Sequence, residues 1–215
     1  SISEFQVAAG DLDAAGAANF LTGDGEFDLQ NFRLERLKFG ENDVVVNVEL
    51  PEGVPPIISV GGNAVDLRPV MEDIFDEGDD DGESGTPAMR IVISDQSPIG
   101  SVRLGEETRF LDAHGTIIND GVDWSQVNLR GALSNAGRVF VRIAPEENLR
   151  RLTFETDDAG GLLRALEWVD TIREGELRVR GTIVGAGADQ VIAGQVDMQG
   201  FVLTEEPFAA KLLAL

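Results

Sequence analysis

Val44, Val46, Val48 and Leu50 stand on one parity of the chain, with Asn47 and Glu49 on the other. The same period of two recurs in Val139-Phe-Val-Arg-Ile143, in Leu177-Arg-Val-Arg-Gly-Thr-Ile183 and in Val196-Asp-Met198. A period of two makes one face of a segment apolar and leaves the other wet, which predicts half-buried antiparallel strands. Turn chemistry separates the runs at Gly40-Glu-Asn-Asp43, Asn119-Asp-Gly121, Ser134-Asn-Ala-Gly137 and Gly185-Ala-Gly-Ala-Asp189, so hairpins or short meander connections are expected there.

Three segments break the alternation with helical spacing. Leu67, Val70, Met71 and Ile74 predict a helix near 67–75, with Asp66 as N-cap and Pro69 in the first turn. Asp157 and Asp158 followed by Leu162, Leu163 and Leu166 predict a second near 158–168. Thr204, two acids and Pro207 open a third near 205–214, which stops on an apolar run without a C-cap. Such an end reads as a cut through a larger protein. The expected fold is mainly β: an extended, curved antiparallel sheet with a few short helices across it. It forms one continuous unit over 1–215, in blocks of about 1–75, 89–168 and 169–215, with an acidic loop over 76–88.

Charge and composition narrow the chemistry. The 17 Lys+Arg against 39 Asp+Glu give a formal net charge of −22. That field repels phosphate backbones and anionic membrane surfaces, so nucleic acid is not an expected partner. Cysteine is absent and His114 is the one histidine, which removes disulfides, thiol nucleophiles and multi-histidine metal sites. The first ten residues show neither the basic start nor the apolar run of a signal peptide, and no stretch of the sequence is long and apolar enough to insert in a membrane.

Each candidate constellation has a plainer reading. Asp76–Glu83 holds six acids in eight residues. Aligning Gly82 with the invariant glycine of a calcium loop puts Glu77, Asp79 and Asp81 at the first ligand positions, but Ala88 where the closing carboxylate belongs. A solvated loop without a specific metal is expected. Gly185-x-Gly187 lacks the third glycine of a dinucleotide fingerprint and reads as a hairpin turn. Asp157-Asp158 could pair as acid and base for glycoside hydrolysis, yet acids at a helix start ordinarily serve its free N–H groups. His114 has no nucleophile motif beside it, and Trp124 and Trp168 read as core anchors. No catalytic residue, metal site or cofactor is expected.

Three landmarks resemble the AsmA-like, YhdP-type (TamB-related) periplasmic proteins of Gram-negative bacteria. Val60-Gly-Gly-Asn-Ala-Val-Asp-Leu-Arg-Pro69 is similar to the family's Gly…Leu-Asp-Leu-Arg-Pro lead into a helix. Thr156-Asp-Asp-Ala-Gly-Gly-Leu-Leu-Arg-Ala-Leu166 is close to its Ser-Asp-Asp-Ala-Gly-x-Leu-Leu-Arg-Ala, and Ile172-Arg-Glu-Gly-Glu-Leu-Arg-Val-Arg-Gly181 follows as in the family. Gly200-Phe-Val-Leu-Thr-Glu-Glu-Pro-Phe-Ala-Ala-Lys-Leu-Leu213 resembles its Asn-Phe-x-Val-x-Asp-Ala-Pro-x-Leu-Ala-x-Leu-Leu. Thr156 replaces the usual Ser, and Glu205-Glu206 the usual Asp-Ala.

The resemblance implies an internal section of a taco-like, repeating β-groove that crosses the periplasm. The full-length protein would be anchored in the inner membrane by a segment outside this sequence and would act in phospholipid transport and envelope homeostasis. Its partners would be phospholipid acyl chains and the adjoining segments of the same protein. The expected groove residues are Val44, Val46, Val48, Leu50, Val139, Val141, Ile143, Leu177, Val179, Ile183, Val196 and Met198. Two other readings stay open: a spacer or docking module whose apolar face is fully packed, and an enzyme acting on envelope carbohydrate through its acidic pairs.

Overall fold

A computed structural model describes residues 2–23, 26–68, 87–104, 109–133, 137–166, 168–169, 171–187 and 190–204. Among them, thirteen strands form a single sheet. They are β1 (Ile2–Ala9), β2 (Leu12–Gly23), β3 (Glu26–Phe39), β4 (Asn42–Glu49), β5 (Ile57–Asp66), β6 (Met89–Ile93) and β7 (Ile99–Arg103). Then come β8 (Arg109–Asn119), β9 (Trp124–Leu133), β10 (Arg138–Glu146), β11 (Leu149–Thr156), β12 (Ile172–Val184) and β13 (Val191–Leu203). Strand outweighs helix 73 % to 5 %, in one large curved sheet, as the alternation predicts.

Tight hairpins drive the meander. Gly10-Asp11 and Gly40-Glu41 join β1 to β2 and β3 to β4, with φ of 61° and 56° at the two glycines. A left-handed first residue suits the twist of a two-residue hairpin, and glycine adopts it without a Cβ penalty. Glu147 opens the β10–β11 hairpin with the same conformation, φ 52°, without that relief.

The sheet is antiparallel except at one seam. β5 pairs in parallel with both β6 and β7. The two short strands are halves of one interrupted strand, since both also lie antiparallel against β8. Residues 94–98 leave the sheet between them, and Ser97 sits where a Cβ on Gly61 would be, its Oγ 2.7 Å from that point. Parallel neighbours cannot be joined by a hairpin, and residues 67–88 separate β5 from β6 in the sequence. The expected 67–75 helix (beyond Arg68), most of the acidic loop and the 205–214 helix lie outside the described residues.

The middle helix is present as α1 (Ala159–Ala165), shorter than the predicted 158–168. Asp158 caps it by accepting from the Gly161 N–H at 2.8 Å. The Trp168 N–H donates to the Leu163 carbonyl at 3.0 Å, which satisfies a carbonyl of the last turn. α1 lies against β12, where Gly160 meets the Ile172–Arg173 backbone so closely that a Cβ would stand 2.7 Å from it.

Candidate functional site

Registered neighbours in a sheet share a face, so the pairings trace rows of side chains across it. The strands follow one path across the sheet, β1-β2-β3-β4-β5-β6-β8-β9-β10-β11-β12-β13 with β7 beside it. One row runs through all of that path: Phe5, Gly16, Leu34, Val46, Val60, Ile93, Gly115, Leu129, Val141, Phe154, Val179 and Val196. A second lies beside it: Ser3, Ala18, Phe32, Val48, Ile58, Ile91, Ile117, Val127, Ile143, Leu152, Gly181 and Gly194. Neither row carries a charge. At ~4.8 Å per strand they form an apolar ribbon roughly 50 Å long.

The reverse face is the opposite in character. Its matching row is Glu4, Ala17, Arg33, Asn47, Ser59, Val92, Thr116, Asn128, Arg142, Thr153, Arg180 and Gln195. One residue of slip would exchange the two faces, so the apolar pattern fixes the register.

Aromatic rings cover two glycines of the apolar face, Gly16 and Gly131. Phe5 and Phe32 stack at 5.9 Å, and the Phe5 ring fills the place a Gly16 side chain would take. Phe110 covers Gly131 in the same way.

All twelve expected groove residues fall on this face, at different depths. Val46, Val48, Val141, Ile143 and Val179 belong to the two central rows and are half-buried. Val44, Val139, Leu177 and Met198 lie one row towards the end of the sheet that carries α1, where Val44 and Val139 are buried. Leu50 and Ile183 lie beyond the central rows on the opposite side, Ile183 buried and Leu50 half-buried. Val196, on the last strand, is 66 % exposed. The periodicity missed the contributions of β1–β3, β5 and β6, and of β8, β9 and β11. Phe32, Leu34, Ile58, Ile93, Leu129 and Phe154 are part of the same ribbon.

Burial concentrates on this face, and it is deepest beside the parallel seam of β5 with β6 and β7. There Ile99, Val102 and Ala113 form a small core with Val60, Val65, Leu67, Ile93, Leu104 and Phe110. At the other ends of β9–β12 the face is closed by polar groups. Arg150 projects from the apolar side, registered with Ile183, and pairs with Asp123 at 3.3 Å. Asp123 also accepts from the Gly187 N–H at 3.0 Å and from Gln190. The turn before β9 and the loop after β12 therefore meet above the β10–β11 hairpin.

The two tryptophans correct the expectation of core anchors: Trp124 is 41 % and Trp168 67 % exposed. The acidic pair at α1 is occupied structurally. Asp158 caps the helix, and Asp157 accepts from Arg138 Nε at 2.8 Å. Burial pushes the Asp157 carboxyl up, but the Arg138 side-chain and backbone hydrogen bonds outweigh it and hold the pKa below the usual carboxylate range. The enzyme reading needs a raised acid, the opposite direction. His114 places Nδ1 2.8 Å from the Asp112 carbonyl oxygen, on the polar face beside Arg130. Among the described residues, no group of three or more His, Asp or Glu could hold a metal ion, and no helix is long and apolar enough to cross a membrane. Comparisons with family models, curated proteins and solved structures give no match for the chain.

Proposed function

We propose that the chain is a section of a periplasmic hydrophobic-groove protein that carries phospholipid acyl chains between the two membranes of the envelope. The observation that supports this reading is the uncharged apolar ribbon, continuous through the strands of the path and half-open to solvent. The motif resemblance supplies the lipid, the compartment and an inner-membrane anchor in the full-length protein. The task needs no reacting group. Each buried methylene is worth ~0.8 kcal/mol, so a sixteen-carbon chain drawn bare through water costs about 12 kcal/mol. An apolar track removes most of that cost, and the acidic exterior keeps it soluble.

A photo-crosslinker tests the assignment of faces. At Val46, Val141 or Val179 it captures phospholipid in cells, and at Asn47, Arg142 or Arg178 it does not. Equal capture from both faces, or none from either, removes the proposal. Native mass spectrometry of the purified protein provides a second readout as co-purified phospholipid.

A spacer or docking module is the second reading. It is favoured by the buried row through Val44, Ile99 and Ala113, which is already packed. Val141→Asp discriminates: a folded variant that binds lipid as well as its parent supports the spacer.

A further inference from the structure

We propose that the polar face of β10–β12 binds a compact phosphate-bearing anion, held between Arg142 and Arg180 over the Thr153 hydroxyl. Arg142 pairs with Thr153, and Thr153 with Arg180, so the three side chains stand side by side on one face. Both arginines are exposed. Their Cα atoms are two strand spacings apart, about 10 Å. Two extended guanidinium groups can close from that distance on one tetrahedral oxyanion midway, each presenting a fork of N–H donors.

The surroundings make the spot electropositive in an otherwise acidic molecule. The chain holds 39 acids to 17 bases, yet among the described residues neither Arg142 nor Arg180 has a carboxylate partner. The neighbouring acids are engaged elsewhere: Glu155 by Arg178 at 2.9 Å, Glu146 by Arg151 at 2.6 Å, and Asp197 by the Gln195 amide at 3.1 Å. Arg130, diagonal to Arg142, lies over the Phe140 ring at 5.2 Å and adds a third cation without a carboxylate partner. Two like charges flank one hydroxyl, and Glu155 and Glu146 are paired with other arginines. The charge that Asp197 keeps is outnumbered by Arg130, Arg142 and Arg180, which leaves room for a ligand that supplies negative charge.

Size follows from the whole-molecule field. A nucleic acid or an anionic bilayer would extend past the arginines and meet the net charge of −22. A small phosphate ester or diphosphate would not. The site lies on the face away from the apolar ribbon, so it stands independently of the lipid reading.

The test is calorimetric titration of inorganic pyrophosphate into the purified protein at low ionic strength and pH 7. Saturable one-site binding is expected, weakened about tenfold or more by Arg142→Gln or Arg180→Gln, which remove one charged fork. Thr153→Val should weaken it about tenfold, the loss of one hydrogen bond to a charged acceptor. Arg90→Gln, at an exposed arginine on β6, should leave it unchanged. Absence of saturable binding, or parental affinity in both arginine variants, overturns the proposal. So does a single-stranded oligonucleotide that binds more tightly than pyrophosphate. Should a variant misfold, the backbone amide of Thr153 in the parent protein is the reporter: no chemical-shift change on adding pyrophosphate also overturns it.

Discussion

Asp123 and Arg150 form an ion pair at 3.3 Å with side chains only 9 % and 11 % exposed, across a boundary between secondary-structure elements far apart in sequence. Arg150 also donates to the carbonyls of Trp124 at 3.3 Å and Gly185 at 3.1 Å, so its charge is satisfied from both sides of β10–β11. Removing the acid leaves a buried cation with backbone oxygens alone. Asp123→Ala should therefore cost about 3 kcal/mol in urea denaturation, and adding Arg150→Met should recover part of the loss. A single-variant cost under about 1 kcal/mol would show that the two loops do not depend on the pair.

Asp66 gives a pH signature. Arg68 grips its carboxylate with side-chain hydrogen bonds, and the pKa is lowered from 3.8 to about 2. A depressed folded-state pKa contributes stability that is present above the unfolded value and lost as pH falls through the folded one. The stability difference between the parent and Asp66→Asn should thus be full at pH 5 and fall steeply between pH 4 and 2. Denaturation midpoints across that range measure it, and a difference undiminished at pH 2 contradicts the mechanism.

Gly115 has φ 145°, and a Cβ there would lie 1.9 Å from the Asn128 carbonyl oxygen. Gly115→Ala must push two hydrogen-bonded strands apart, so a loss of more than about 2 kcal/mol is expected. Gly10 also has a positive φ, 61°, but open space around it. Gly10→Ala should cost only the backbone preference, about 1 kcal/mol. Thermal melts of the two variants side by side provide the comparison.

Neighbouring residues of β10 should respond oppositely to the same change. Val141→Asn places an amide in the apolar ribbon and should lose about 2 kcal/mol. Arg142→Asn, on the wet face, should stay within about 0.5 kcal/mol of the parent. Equal effects would mean that both faces of β10 are covered.

The alternation around Val44–Leu50 and Val139–Ile143 made the strands and their apolar parity readable. Elsewhere the same face is built without alternation. β2 reads Leu-Asp-Ala-Ala-Gly-Ala-Ala-Asn and presents Gly16 and Ala18 because Phe5 and Phe32 need the space above them. Thr116-Ile117-Ile118 in β8 is apolar on both parities, so only its register with Val127 assigns Ile117 to the ribbon. The parallel seam left no local trace either: pairing partners are a long-range property, and β6 and β7 are too short to show a period. Trp124 and Trp168 have apolar neighbours in sequence, yet both side chains stand at the surface, because sequence neighbours on a strand or turn need not be neighbours in space. Asp123 and Arg150 lack any common motif and meet only through the sheet's order.

The seam between β5 and the β6–β7 pair has a consequence for how the chain reaches its fold. On either side, β1–β5 and β8–β13 are meanders whose partners are adjacent in sequence, so they can zip from their hairpins with little loop entropy to overcome. Joining them requires β5 to find a parallel partner across residues 67–88, with no turn to set the alignment. That closure is the high-contact-order step of the molecule. Refolding should therefore show two early, local phases and one slower phase, with lesions at Val60 or Ile93 acting on the slow one.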